Sequence, residues 1–140
     1  MTMKRFLAFL LLLTLMSSCQ TSITRRNDAD DMRRGMDVAR EFYREVQAGR
    51  FEEATSFISH ADLPKEDALK LLTTIKTMRG ELDSVQSTST GSVFTVADGD
   101  TTEEQSIELK CFYTQGASTE ELVLKREHGL LKIAGYQFNL

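Results

Sequence analysis

The chain holds three tyrosines and few other residues suited to catalysis. Tyr43, Tyr113 and Tyr136 each fall on an apolar stripe, and Asp83 and His60 are the candidate bases. A carboxylate or imidazole beside a tyrosine hydroxyl can transfer protons to and from a substrate. Nothing in the spacing forces these residues together, and a core tyrosine usually has its hydroxyl satisfied at the rim. The sequence therefore favours a protein without enzymatic activity.

The histidines and cysteines predict neither a metal site nor a nucleophile. His60 and His128 lie far apart in the sequence, and no cysteine or acidic cluster stands at ligand spacing beside them. Cys111 lies on the apolar face of a predicted strand, where cysteine behaves as a small hydrophobic residue. Glycine-rich phosphate loops and serine-hydrolase elbows are absent from the sequence. We therefore expect no cofactor and no metal ion.

The first nineteen residues predict export to the cell envelope. Lys4 and Arg5 precede an apolar run over residues 6–16, which is shorter than the roughly 20 residues that span a bilayer. Such a run is typical of a signal peptide. Ser17, Ser18 and Cys19 follow, and this pattern resembles the bacterial lipobox, in which the chain is cut before an acylated cysteine. Met16 stands where that motif usually has leucine.

The predicted lipidation site at Cys19 divides the chain into three parts. Residues 1–18 form the predicted signal peptide, residues 19–29 the lipidated cysteine and a flexible tether, and residues 30–140 one domain. Two or three acyl chains on one cysteine hold a protein at a membrane almost permanently. Gln20, which is not aspartate, implies by resemblance to Gram-negative lipoproteins a place on the periplasmic side of the outer membrane. Ordinary secretion, with Cys19 unmodified or paired with Cys111, is the alternative.

The charge of the mature chain argues against binding to nucleic acid. Removal of residues 1–18 takes away two of the 17 basic residues and none of the 21 acidic ones, which changes the formal net charge from −4 to −6. An acidic domain lacks the basic surface that a phosphate backbone requires. The expected partners are a lipid bilayer, reached through Cys19, and an envelope protein or a small apolar ligand.

Hydrophobic periodicity predicts three helices in the first half of the domain. The first begins near Asp30 and stops at Gly49, and the second covers residues 50–59. The third begins with Pro64 at its first position and ends at Gly80. Its predicted buried stripe consists of Ala68, Leu71, Leu72, Ile75 and Met78.

The second half of the domain predicts an antiparallel meander. Serine, threonine and valine dominate residues 84–97, and the serines and threonines from Ser84 to Thr95 give a candidate exposed edge. Alternation predicts strands over residues 107–113, 120–126 and 130–138. A bulge at Ala134 and Gly135 would turn Leu131, Ile133, Tyr136 and Phe138 to one face. Helices followed by an antiparallel meander define an α+β domain, with the helices packed on a curved sheet.

Three segments carry a resemblance to a known superfamily. They are Ala39-Arg40-Glu41-Phe42-Tyr43, Gly49-Arg50-Phe51-Glu52-Glu53-Ala54 and Leu130-Leu131-Lys132-Ile133-Ala134-Gly135-Tyr136, with Leu131 where relatives commonly have tryptophan. The pattern resembles the nuclear transport factor two-like superfamily, the curved α+β cone shared with ketosteroid isomerase, and within it small bacterial lipoproteins. The resemblance covers residues 30–140 and implies fold far better than function, since this fold serves enzymes and binding modules alike.

The sequence thus predicts a membrane-anchored, non-enzymatic envelope lipoprotein. Its cone-shaped domain would bind a small apolar ligand or a protein partner, and the candidate pocket-lining residues are Tyr43, Tyr113, Tyr136 and Cys111. A small isomerase or hydrolase that uses the cone pocket is one alternative. A homodimer formed through the open sheet face is another.

Overall fold

A computed structural model describes residues 22–97 and 100–139 of the chain. The predicted signal peptide, Cys19 and residues 98 and 99 of the predicted turn lie outside the described residues. Three helices and five strands follow one another in the described part. They are β1 (Ile23–Arg26), α1 (Ala29–Gln47), α2 (Phe51–Thr55), α3 (Lys65–Arg79), β2 (Leu82–Ala97), β3 (Asp100–Tyr113), β4 (Gly116–Glu127) and β5 (Leu130–Asn139).

The first predicted helix is confirmed as α1. The Asp28 side chain caps it by accepting hydrogen bonds from the backbone amides of Asp30 and Asp31 at 3.0 and 3.2 Å. Such a cap satisfies amide groups that have no partner in the first helical turn. At the other end the chain turns at Gly49, whose φ of +70° suits a residue without a side chain.

The second helix is shorter than predicted. It ends at Thr55 because the chain beyond it binds the outer edge of β5 instead of continuing the helix. The Ser59 amide donates to the Ile133 carbonyl at 2.8 Å, and the Ile133 amide donates to the Phe57 carbonyl at 2.8 Å. These backbone bonds cover part of the edge that β5 would otherwise expose.

The third helix is confirmed, with two differences in detail. Pro64 is the residue before the helix, not its first position, and Gly80 follows its last residue. Met78 is 50% exposed, so its assignment to the buried stripe is wrong. Ala68, Leu72 and Ile75 form the buried stripe, and Met78 lies on the last turn beyond it.

The five strands form one antiparallel sheet in the order β1-β2-β3-β4-β5. The sheet is curved, and the three helices pack against its inner face. The α+β class is therefore confirmed. The core between the two layers contains Phe42 and Ala39 of α1 together with Ile107, Leu122 and Leu124 of the sheet.

The predicted bulge in the last strand is confirmed. Val123 of β4 pairs with Gly135, whereas its neighbour Leu124 pairs with Ile133, so Ala134 is the extra residue. Leu131, Ile133, Tyr136 and Phe138 consequently all pack on the core side. At Gly135 a Cβ atom would lie 3.3 Å from the Val123 Cβ, which favours glycine where the strands approach closely.

The segment for which the sequence predicts a tether contains a strand. β1 pairs with β2 over four residues, from Ile23 opposite Val96 to Arg26 opposite Val93. The Asn27 amide extends this pairing by donating to the Ser92 carbonyl at 2.9 Å. Alternation over four residues is too short a pattern to be recognised in a polar sequence. Among the described residues, no helix is long and apolar enough to cross a membrane.

Candidate functional site

A buried carboxylate lies at the centre of the domain and accepts hydrogen bonds from four hydroxyl groups. Glu120 has no exposed surface. Its Oε2 accepts from Tyr43 Oη at 2.7 Å and from Tyr136 Oη. Its Oε1 accepts from Tyr113 Oη at 2.6 Å and from Ser118 Oγ at 3.0 Å. All three tyrosines of the chain therefore donate to a single carboxylate.

Four different elements bring these side chains together. Tyr43 comes from the buried face of α1, and Tyr113 is the last residue of β3. Ser118 and Glu120 share the inner face of β4 because they stand two residues apart in a strand. Tyr136 reaches the cluster because the bulge at Ala134 turns it inward.

Hydrogen bonds, rather than a counter-ion, stabilise this carboxylate. Two donors on each oxygen fill the positions at which a carboxylate normally accepts. Among the described residues, no lysine, arginine or histidine forms an ion pair with Glu120. Bonds from neutral donors to a charged acceptor are stronger than those between neutral groups.

The tyrosines stay protonated over a wide pH range. Burial raises the pKa of Tyr43 and Tyr136 well above the ordinary value, and neighbouring tyrosine and Glu120 charges raise it further. Burial first, and the Glu120 charge second, likewise raise the pKa of Tyr113. A phenol that keeps its proton can donate a hydrogen bond to Glu120.

Cys111 is buried beside the same cluster. Burial raises the pKa of its thiol, and the Glu120 charge raises it further. Because the thiolate is the nucleophilic form, this environment makes the residue unreactive. The cysteine has no disulfide partner among the described residues.

The cavity next to the tyrosines is small. Tyr113 and Tyr136 line it together with Phe51, Leu72 and Ile75 of the helices, and its volume is about 10 Å³. That volume corresponds to roughly one water molecule. The cluster is thus closed by the packing of α2 and α3 against the sheet.

A larger groove lies on the outside, between α1 and β2. Its volume is about 300 Å³, the lower end of the range for ligand pockets. Met36 and Tyr43 of α1 and Val85 and Leu109 of the sheet give it apolar walls, while Arg40 adds a charge. Tyr43 therefore joins this groove to the Glu120 cluster.

The edge of β2 beside this groove carries no paired strand. Within the described residues, β1 and Asn27 cover β2 only from Ser92 onward, so the stretch from Ser84 to Gly91 is free on that side. This stretch has no charged residue and no proline, two of the means of protecting an edge strand, and it contains a register shift at Thr88. The prediction of an exposed serine- and threonine-rich edge is confirmed for this part of the strand.

A second buried carboxylate lies toward the other end of the sheet. The Glu103 side chain has no exposed surface, and Arg126 donates to its Oε2 through Nε at 2.9 Å and through Nη2. Gln105 Nε2 donates to Oε1 at 2.9 Å, and Arg34 Nη2 lies 3.4 Å from Oε1. Burial opposes ionisation of Glu103, but the bonds from Arg126 and Gln105 outweigh it and lower its pKa.

The structure brings together some of the candidate residues and separates others. The three tyrosines meet, with Cys111 beside them, but neither candidate base is there. Asp83 is an exposed bulge residue of β2, and the His60 ring lies 3.0 Å from the Thr55 carbonyl. Asp83 and His60 were thus wrong as bases, because both belong to surface turns or bulges.

Glu120 is the central residue that the sequence analysis missed. Its position two residues before Leu122 places it on the inner face of a strand that alternates over its whole length. The predicted strand began at Glu120, so the residues before it, which continue the same alternation, were left out of the strand. Among the described residues, no group of three histidine, cysteine, aspartate or glutamate side chains could hold a metal ion.

Comparisons with known proteins give no assignment. No protein-family model matches the chain, and no curated protein matches it at a significant level.

Proposed function

We propose that this protein is a membrane-anchored lipoprotein of the bacterial cell envelope that binds an extended segment of a protein partner and has no enzymatic activity. The free edge of β2 beside the groove is the observation that carries the proposal. A segment that adds to this edge would pair its backbone with β2 and place alternate side chains in the groove. The anchor is Cys19, which in a Gram-negative cell places the domain on the periplasmic side of the outer membrane.

The interior of the domain supports a partner on the outside rather than a small ligand within. Glu120 already accepts four hydrogen bonds, so a ligand would have to displace a tyrosine to reach it. The cavity of about 10 Å³ is far below the size that a small apolar ligand requires. The groove on the outside is thirtyfold larger, with about 300 Å³.

We also propose that the domain is a nuclear transport factor two-like cone. Three helices on a curved antiparallel sheet are compatible with that fold. The bulge at Ala134 supports the proposal because an extra residue bends a strand, as wrapping around a helix requires.

The anchor is tested by the intact mass of the protein isolated from its native membrane. We expect the mass of residues 19–140 plus acyl chains, and we expect a Cys19→Ala variant to lose both the acyl mass and the membrane association. An unmodified mass with the protein free in solution would contradict the anchor.

The binding edge is tested by a photo-crosslinking side chain at Ser87, which lines the groove. We expect an adduct in which the linked peptide of the partner is an extended segment that binds the purified domain by itself. Adding charge to the edge, with Ser87→Lys and Ser89→Lys, should weaken this binding by about tenfold or more, equivalent to at least about 1.4 kcal/mol.

The matched control places the same two charges on paired strands. Ser106→Lys on β3 and Thr119→Lys on β4 are exposed positions away from the free edge. They should leave binding unchanged. If both pairs of substitutions weaken binding equally, the edge of β2 is not the site. If the crosslinked partner is a second copy and the mass doubles with concentration, the protein is a homodimer instead.

A small isomerase or hydrolase is the second candidate, because Glu120 among three phenols could transfer protons. This function requires the cluster to open to a substrate. All three tyrosines of the chain lie there, so quenching of tyrosine fluorescence by acrylamide reports on access to it. Weak quenching is expected for the closed cluster. Quenching as strong as that of unfolded chain would favour the enzyme.

A further inference from the structure

The sheet extends past the first turn of α1 and forms a short arm. We define the arm as residues 23–26 of β1, 93–97 of β2 and 100–103 of β3. The pairing of Phe94 with Glu103 and of Ile23 with Val96 places these residues on the side of the sheet that faces the core elsewhere. Ile23 is nevertheless 59% exposed, because no helix of the described residues covers this end of the inner face.

Arginines lie next to the exposed apolar residues of the arm. The Arg25 guanidinium stacks on the Phe94 ring, 4.3 Å from its centre, and its side chain is 47% exposed. Arg26, the next residue of the strand, is also exposed but lies on the opposite face of the sheet, where it pairs with Val93. Apolar groups combined with arginines suit a membrane interface, where the chain stems contact lipid and the charged heads meet phosphate.

The position of Cys19 fixes which part of the domain lies nearest to an anchoring membrane. Three residues separate Cys19 from Ile23. An extended chain advances at most about 3.6 Å per residue, so the Cα atoms of these two residues are at most about 14 Å apart. The arm is therefore the part of the domain that an acylated Cys19 would hold against the bilayer.

We propose that the arm docks onto the headgroup region of an anionic bilayer. Ile23 and Phe94 contact the upper acyl chains, and Arg25, which lies on the same face of the sheet, contacts lipid phosphates. This proposal rests on the proposed lipid anchor. It fixes the orientation of the domain, since one end of the sheet then lies on the membrane and the end with α3 points away from it.

The chain has no tryptophan, so a single introduced one reports on its own surroundings. The reporter is Phe94→Trp in the mature chain, residues 19–140. The protein is coupled through the Cys19 thiol to a maleimide lipid in vesicles of phosphatidylcholine and phosphatidylglycerol. Cys111 has no exposed surface and leaves Cys19 as the reactive thiol. The control is Met78→Trp on α3, which replaces a side chain that is 50% exposed.

On coupling to vesicles, the Phe94→Trp emission should shift to shorter wavelength and lose intensity when brominated lipids are present. The Met78→Trp emission should do neither. Adding Arg25→Gln should diminish the shift in anionic vesicles, whereas Arg26→Gln on the opposite face should not, with near-ultraviolet circular dichroism of the tyrosines showing that the fold is intact. An unchanged Phe94→Trp emission, or equal quenching of both reporters, would overturn the proposal.

This test separates the two proposals. The maleimide lipid supplies the anchor chemically, so failure of the arm to dock does not depend on whether the cell acylates Cys19. The intact mass from the native membrane tests acylation by itself.

Discussion

Two fully buried glutamates lie on the inner face of neighbouring strands, and their surroundings differ. Glu103 of β3 meets arginines, with Arg126 bound through two nitrogens and Arg34 at 3.4 Å. Glu120 of β4 meets four hydroxyl groups. One carboxylate is neutralised by opposite charge and the other is solvated by neutral donors.

The difference also concerns access to water. The Arg126 side chain is 29% exposed and that of Arg34 45%, so both partners of Glu103 reach solvent. Tyr43, Tyr113 and Ser118 are only 3%, 7% and 4% exposed, so three of the four partners of Glu120 do not, and Tyr136 is half-buried. A donor that cannot turn to water suffers the full cost of losing its acceptor. We therefore expect the Glu120 cluster to tolerate substitution less than the Glu103 cluster.

Removing each carboxylate should give the largest difference between the two regions. Glu120→Ala leaves three buried tyrosine hydroxyls without an acceptor, at about 1 to 3 kcal/mol each, and should reduce the free energy of unfolding by about 4 kcal/mol. Glu103→Ala should lose about 2 kcal/mol because its arginines rehydrate. Urea unfolding at neutral pH measures both, and equal losses would contradict the comparison.

Removing the main partner of Glu103 should have the next largest effect. Arg126→Met leaves a buried charge with weaker partners and should reduce the free energy of unfolding by about 3 kcal/mol. The loss depends on pH. In the wild type the pKa of Glu103 is lowered, so its contribution is present above the ordinary glutamate pKa of 4.5 and disappears as the pH falls through the folded value.

The deficit of Arg126→Met relative to wild type should therefore shrink in acid, where Glu103 is protonated in both proteins. Urea unfolding between acidic and neutral pH measures it. A deficit that stays constant over this range would show that packing, rather than charge, accounts for the loss.

Removing one neutral donor should reduce the free energy of unfolding by less than the substitutions above. The loss should be larger for a donor to Glu120 than for a donor to Glu103. Tyr136→Phe removes one of four donors and should lose about 2 kcal/mol, which is within the range for bonds to a charged group. Gln105→Met removes the neutral donor to Glu103 and should lose about 1 kcal/mol, because the arginines remain. Thermal unfolding of both variants checks this, and a larger loss for Gln105→Met would reverse the expected order.

Alkaline titration of the wild-type protein should report on the Glu120 cluster alone, because all three tyrosines lie there. The folded pKa values of the three tyrosines lie above the unfolded value of about 10. Their contribution to stability is therefore complete below that pH and is lost as the pH rises above it. Tyrosinate absorbance should appear together with the loss of far-ultraviolet circular dichroism. Ionisation of any tyrosine near pH 10 in a chain that is still folded would show that the cluster is open.

Local patterns accounted for most of the fold. The start of the first helix near Asp30, its stop at Gly49 and the start of the third helix at Pro64 follow from local backbone chemistry, and the structure has each near its expected place. The bulge at Ala134 could be predicted because alternation failed at one point in β5 and resumed one residue later. The short strand β1 and the end of α2 could not, because both depend on pairing with distant strands.

The candidate site was predictable only in part. The apolar stripes placed Tyr43, Tyr113 and Tyr136 inside, but spacing along the chain cannot say that their hydroxyls meet. Glu120 stands 77 residues from Tyr43 in sequence. Glutamate is almost never fully buried unless it is paired, so the residue type at position 120 favoured a surface location.

The sequence by itself determined the order of the three helices and the strands that follow them, the curved last strand and the leader that predicts an anchor at Cys19. These follow from the chemistry of near neighbours, which composition and periodicity express directly. The tertiary structure decided that Glu120 gathers every tyrosine of the chain, that Glu103 is paired with arginines, and that half of β2 has no partner strand on one side among the described residues. Each of these depends on contacts between elements far apart in the sequence, which only the packing of the helices on the sheet brings together.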